Sequence, residues 1–279
     1  LIAFLITLIS FADRSFDITD EAFYILSALE PKDTVFQANW FGTYTGFLWK
    51  LTSDSLAGFR RVGILIVVLV SGLMSVSIAL WLKSQMPKTS AYQTAVFALI
   101  GILAGNVLYY RYFLLTPSYN WLTLVGIMLA LTGVFLHLLR LNTLICMLFL
   151  GFGGFVTFSA KPLTSLMFLM GVILLFVALG LLRRSFTMLL GAVAIASALV
   201  LAHMLIVDGG MQSSIAKLTE GQIALGLIIP GRSIGSALQE VVGLFLDFPK
   251  IALSYLPISV LSSAALSVFL RTMNTRPSG

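Results

Sequence analysis

Seven long stretches without a charged side chain are the feature that most constrains this chain. Each runs for about 20 residues or more with no Asp, Glu, Lys or Arg, and they cover residues 62–82, 89–110, 112–139, 141–160, 162–182, 185–207 and 251–270. A helix needs about 20 consecutive apolar residues to cross the hydrocarbon core of a bilayer. The sequence therefore predicts an all-α integral membrane protein without a soluble domain.

An eighth span is expected at the N-terminus. Residues 1–12 are apolar but too short to cross a bilayer unaided, and they begin without Met, so we expect a first span that lacks its start; the C-terminal extent is left open. The chain is then one transmembrane domain, residues 1–279. It has a first outer segment (13–61), spans two to seven (62–207), a second outer segment (208–250) and a last span (251–270).

Basic residues are distributed unevenly among the connections. Among the short connections, those after spans three and five carry one basic residue each, Arg111 and Lys161, whereas the segments after even-numbered spans carry Lys83, Lys88, Arg140, Arg183, Arg184, Arg271 and Arg276. Basic residues favour the cytoplasmic side. This bias predicts a multi-pass protein whose segments 13–61 and 208–250 both lie on the outer face.

All eleven acidic residues fall in those two outer segments. The outer face is therefore predicted to be an acidic chamber with a few cations at its floor. The net charge of +6 is explained by cytoplasmic Lys and Arg near anionic lipid, so no nucleic-acid partner is expected. The one cysteine, Cys146, lies in an apolar run and allows no disulfide within the chain.

Two short helices are predicted in the first outer segment. The acids Asp20 and Glu21 precede an apolar stretch that ends at Glu30-Pro31, which is typical of a helix with Asp20 as its N-cap. Acids at a helix start are commonly only structural, because they interact favourably with the helix dipole. Residues 40–51 are aromatic and too short to span, as in a helix lying in the lipid headgroup layer.

Four cations are predicted to line the outer floor beside spans two to six: Arg60, Arg61, Arg111 and Lys161. Arginine can grip a phosphate with two hydrogen bonds. The simpler interpretation is that these side chains extend from helix ends toward water. No His, Asp and Glu cluster has metal-ligand spacing, so no cofactor is predicted, although a divalent cation is left open.

Several motifs occur in an order that resembles a known family. Asp20-Glu21-Ala22-Phe23-Tyr24 follows the first span, Leu56-Ala57-Gly58-Phe59-Arg60-Arg61 enters the second, and Gly154-Phe155-Val156-Thr157-Phe158-Ser159-Ala160-Lys161-Pro162 closes the fifth. Over residues 10–185 this order resembles the GT-C membrane glycosyltransferases, among them the protein O-mannosyltransferase and aminoarabinose transferase superfamily.

The resemblance implies a GT-C-like bundle of about eight transmembrane helices with helices in its outer loops. It implies an enzyme that transfers a sugar, with inversion, from a polyprenyl-phosphate or dolichyl-phosphate carrier to a lipid, glycan or protein acceptor. Asp20 would be the general base, Glu21 its catalytic neighbour, and Lys161 a cation near the donor phosphate. Tyr24, Tyr119 and Asn120 would contact the acceptor or the sugar. A bacterial inner membrane is expected, with the site on the periplasmic face; endoplasmic reticulum is the alternative.

The residues themselves fit such chemistry. An inverting displacement at an anomeric carbon needs a carboxylate to take the acceptor proton, and a phosphate leaving group needs positive charge where its negative charge develops. One alternative is a transporter or flippase for a lipid-linked saccharide, but the predicted spans two to eight contain no ionisable Asp, Glu, Lys or Arg for a pathway. Another is a non-catalytic membrane scaffold.

Overall fold

A computed structural model describes residues 6–7, 9–13, 20–31, 39–85, 93, 96, 98–102, 105, 109–110, 114–228 and 243. Within these ranges every regular element is helical. The helices are α1 (Asp20–Leu29), α2 (Phe41–Leu51), α3 (Leu56–Gln85), α4 (Tyr119–Leu138), α5 (Thr143–Ala160), α6 (Pro162–Ala178), α7 (Leu182–Ala202) and α8 (Met211–Ile228). A π-helical turn, His203–Val207, continues α7 without a break.

Four described helices are long and apolar enough to cross a membrane: α3, α4, α5 and the continuous Leu182–Val207. Helix α6 is apolar but has 17 residues. Large apolar side chains on these helices are exposed, for example Leu69 at 67%, Leu190 at 54% and Ile206 at 80%. Exposed apolar surface costs about 25 cal/mol per Å² in water, so these surfaces indicate a membrane protein.

The predicted spans at 1–12, 89–110 and 251–270 lie wholly or partly outside the described residues. The total of about eight spans and the GT-C bundle therefore stay predictions. The two short outer helices are present as α1 and α2, and part of the second outer segment forms α8.

Several helix boundaries differ from those predicted by the uncharged runs. Helix α3 begins at Leu56 and therefore includes Arg60 and Arg61. Both arginine side chains have binding partners near the start of this helix. Helix α4 begins at Tyr119 rather than near residue 112. Ser118 is its N-cap, because the Ser118 side chain accepts a hydrogen bond from the Trp121 amide at 3.2 Å.

Helices α4 and α5 pack with their backbones in close contact. A Cβ added to Gly126 would collide with Thr157, and one added to Gly153 would collide with Ala130. On another side of α5, a Cβ at Gly151 would lie 2.7 Å from the Ala192 carbonyl oxygen of α7. Small residues allow such close approach between membrane helices.

The short outer helices lie against one end of this bundle. The Trp40 amide donates to the Ser159 carbonyl at 2.8 Å, and Lys217 of α8 donates to the Pro31 carbonyl at 3.1 Å. We call this the Lys161 end, because Lys161 lies there between α5 and α6. The described parts of both predicted outer segments therefore meet at one end of the helices.

Candidate functional site

Asp20 is the first residue of α1 and is exposed. The structure places it one position later than predicted, inside the helix rather than at its N-cap. An acid in the first helical turn is stabilised by the helix dipole. Asp20 is therefore exposed at the start of a helix that lies at the Lys161 end.

Glu21 points the other way, into the protein. It is 1% exposed and forms an ion pair with Arg60, which is 4% exposed. Arg60 Nη2 donates to both Glu21 carboxylate oxygens at 2.6 Å, and Arg60 Nε donates to Oε1 at 2.9 Å. This pair joins the start of α1 to the start of α3.

Two further groups form hydrogen bonds with this ion pair. The Thr116 hydroxyl donates to Glu21 Oε1, and Arg60 Nη1 donates to the Ala12 carbonyl at 2.7 Å. Buried charges are tolerated when they are paired and hydrogen-bonded in this way. Glu21 and Arg60, predicted as a catalytic neighbour and a phosphate-binding cation, are thus engaged with each other beneath Asp20.

An aromatic wall connects α1 to α4. The Tyr24 ring lies edge-on to Tyr119 at 5.7 Å and to Phe41 at 6.1 Å, and Phe41 lies 5.7 Å from Tyr119. Burial, with Tyr119 as a lesser cause, raises the pKa of Tyr24 well above its usual range. Tyr24 and Tyr119, two of the predicted sugar or acceptor contacts, are therefore in direct contact with each other.

Lys161 lies at the far side of this wall. Its Nζ donates to Asn120 Oδ1 at 2.5 Å and is 4.9 Å from the centre of the Tyr119 ring, a cation–π distance. Burial lowers the pKa of Lys161, because a half-buried ammonium loses hydration. The described partners of Lys161 do not include a carboxylate. An incoming anion would therefore not have to displace one of these partners' negative charges to reach the ammonium.

The remaining predicted cations are placed differently. Arg61 lies at the surface, 3.4 Å from Asp13, with both side chains about half exposed. Arg111 lies outside the described residues. Of the predicted set, the structure brings together Asp20, Tyr24, Tyr119, Asn120 and Lys161.

The structure contains a second polar cluster that the sequence did not predict. The His203 ring stacks on Trp40 at 4.3 Å, and its Nδ1 is hydrogen-bonded to the Tyr44 hydroxyl at 2.7 Å. Its Nε2 lies 3.7 Å from Asp208, which also accepts from Ser214 at 2.6 Å. Burial raises the pKa of Tyr44 to about 12 despite a bond with Ser159.

This cluster fastens α8 to the rest of the Lys161 end. Lys217 lies 3.7 Å from Asp208 and also binds the Pro31 carbonyl beyond α1. Within the described residues, no group of three or more His, Cys, Asp and Glu could hold a metal ion.

Comparison of the chain with protein-family models, with curated proteins and with solved structures gave no match.

Proposed function

We propose that this chain is an inverting glycosyltransferase of a membrane. It would take a sugar from a polyprenyl-phosphate carrier and transfer it to an acceptor hydroxyl at the Lys161 end. The observation that carries the proposal is that an exposed carboxylate, Asp20, acts electrostatically on Tyr24, while a half-buried cation, Lys161, lies 4.9 Å from the Tyr119 ring that Tyr24 contacts. This is the pair of charges that a displacement of a phosphate by a hydroxyl requires.

The reaction is balanced without a cofactor. The acceptor oxygen forms a bond to the anomeric carbon as Asp20 takes the acceptor proton. The bond from that carbon to the carrier phosphate oxygen breaks, and the phosphate leaves with the electron pair. Lys161 stabilises the negative charge that develops on the departing oxygen.

The two tyrosines and Asn120 have supporting roles in this proposal. Tyr24 and Tyr119 offer ring faces and hydroxyls to a sugar, which combines apolar and hydrogen-bonding surfaces. Asn120 holds the Lys161 ammonium in place. Glu21 and Arg60 fix the start of α1 and therefore the position of Asp20.

Four helices suited to a bilayer support a substrate that is itself a lipid. A hydrocarbon carrier is bound by apolar transfer energy of about 0.8 kcal/mol per buried methylene. We extend the proposal to a multi-pass protein of a bacterial inner membrane with the Lys161 end on the periplasmic side.

The test is sugar transfer by the purified protein from labelled polyprenyl-phosphate sugars. We expect donor consumption that Asp20→Asn abolishes and that Asp54→Asn, an exposed acid between α2 and α3, leaves unchanged. Donor that crosses vesicles without being consumed would replace the proposal with a flippase. Donor that is neither consumed nor moved by the wild-type protein would leave a scaffold.

A further inference from the structure

A crevice of about 350 Å³ opens between α5, α6 and α7, within the size range of small-molecule sites. Its walls are almost entirely apolar. Of the two lining hydroxyls, that of Ser165 donates to the Gly154 carbonyl at 3.0 Å. Such a lining suits hydrocarbon.

Small residues on α5 and α7 contribute part of the crevice wall. A Cβ added to Gly154 would meet nothing within 4 Å, whereas Gly151, one turn away on the same helix, packs tightly against α7. Helix α7 adds Ala192 and Ala196 to the wall. A larger side chain at Gly154 would therefore occupy the crevice without first displacing a neighbour.

One end of the crevice lies next to Lys161. The lining residues Phe158 and Ser165 are about one helical turn before and after Lys161, and Met204 directly follows His203. The lining residue Leu150 is two turns deeper on α5 than Phe158, about 12 Å along the helix axis. The crevice thus extends from the Lys161 end most of the way to the middle of a bilayer core that is about 30 Å thick.

We propose that this crevice holds the head-proximal part of the hydrocarbon chain of a lipid whose phosphate lies at Lys161. The apolar walls select a hydrocarbon, Lys161, which lies between the lining residues Phe158 and Ser165 along the chain, selects an anionic head, and the bilayer-suited helices select a lipid. The identity of that lipid as the sugar carrier rests on the function proposed above. Because the crevice is short, it recognises only the first part of the chain, and the remainder continues into the bilayer.

The experiment measures binding of farnesyl phosphate to the purified full chain by native mass spectrometry, without any sugar. Gly154→Leu fills the crevice, and we expect it to weaken binding at least tenfold. Gly171→Leu is the matched control, because Gly171 is exposed on α6 with nothing within 4 Å, and it should bind as the wild type does. Inorganic phosphate and farnesol, which carry only the head or only the chain, should each bind more weakly than farnesyl phosphate.

Equal affinity of the Gly154→Leu and Gly171→Leu proteins would overturn the proposal. If Gly154→Leu loses helical structure, Ala196→Leu fills the same space from α7 and is judged by the same criterion. A polyprenyl phosphate that binds far more tightly than farnesyl phosphate would overturn recognition of the head-proximal part alone.

Two further arms separate this site from the proposed reaction. Phosphatidylglycerol that displaces farnesyl phosphate at equal concentration would overturn the carrier as occupant and leave a general anionic-lipid site. Asp20→Asn should retain binding. Binding that depends on Gly154 in a protein that transfers no sugar would support the crevice and remove the glycosyltransferase, whereas transfer that is insensitive to Gly154→Leu would do the reverse.

Discussion

Arg60 of α3 binds both carboxylate oxygens of Glu21 at 2.6 Å, although the two residues are 39 positions apart. Both side chains are buried. Glu21 is the second residue of α1 and directly follows Asp20. The geometry of the exposed carboxylate is therefore set by a neighbour that faces the interior.

Removal of one member of this pair should be strongly destabilising. We expect Glu21→Ala to lower the free energy of unfolding by about 3–5 kcal/mol, because it leaves the Arg60 charge buried and unpaired. The measurement is unfolding in mixed detergent micelles, followed by circular dichroism. The double variant Glu21→Leu with Arg60→Met should lose less than the sum of the two single changes. Additive losses would argue against the pair.

Asp20→Asn should act on rate and not on folding. Loss of a general base typically slows a reaction by about 10²–10⁴-fold, and the exposed position of Asp20 predicts an unchanged thermal midpoint. Transfer from a labelled carrier is the readout, with Asp54→Asn as control. Wild-type rates in the Asp20→Asn protein would exclude this carboxylate as the base.

Lys161 should react with amine reagents at lower pH than an ordinary lysine. Burial lowers its pKa in the folded protein, so its neutral, nucleophilic form appears below the usual value of about 10.4. Acylation is followed by peptide mass spectrometry across pH, with the exposed Lys50 of α2 as an internal reference. The midpoint of the profile is compared, because partial burial slows the absolute rate.

The same shift has a consequence for stability. Between the folded pKa of Lys161 and that of the unfolded chain, the unfolded state binds more protons, so stability should rise with pH in that window. Farnesyl phosphate should move the Lys161 midpoint upward, because an anion favours the charged form. A midpoint that is unaffected by farnesyl phosphate would argue that the phosphate lies elsewhere.

Lys217→Met should loosen α8. This change removes the bond to the Pro31 carbonyl and the 3.7 Å approach to Asp208, which leaves α8 with fewer polar ties to the rest of the Lys161 end. Amide hydrogen exchange within α8 should become faster. Glu220→Gln, an exposed change on the same helix, is the control, and equal exchange in the two variants would contradict the role of Lys217.

The sequence predicted best what depends on local composition. Uncharged runs of the required length predicted α3, α4, α5 and α7, and the acids before an apolar stretch predicted α1. The partners of Glu21 and His203 could not be predicted in this way. Glu21 meets Arg60 across 39 positions and His203 meets Tyr44 across 159, and no local periodicity encodes contacts of that range. The one available signal was that Arg60 would otherwise lie uncompensated at the start of an apolar helix.

The glycine contacts between α4 and α5 also bear on how the site would respond to its surroundings. Asn120 is the second residue of α4 and Lys161 directly follows α5, so both lie at the same end of two helices whose backbones are in contact. A thicker or thinner bilayer would tilt α4 and α5 together and would not slide one helix past the other. The spacing of amide and ammonium should therefore be insulated from lipid composition, even where the outer helices adjust.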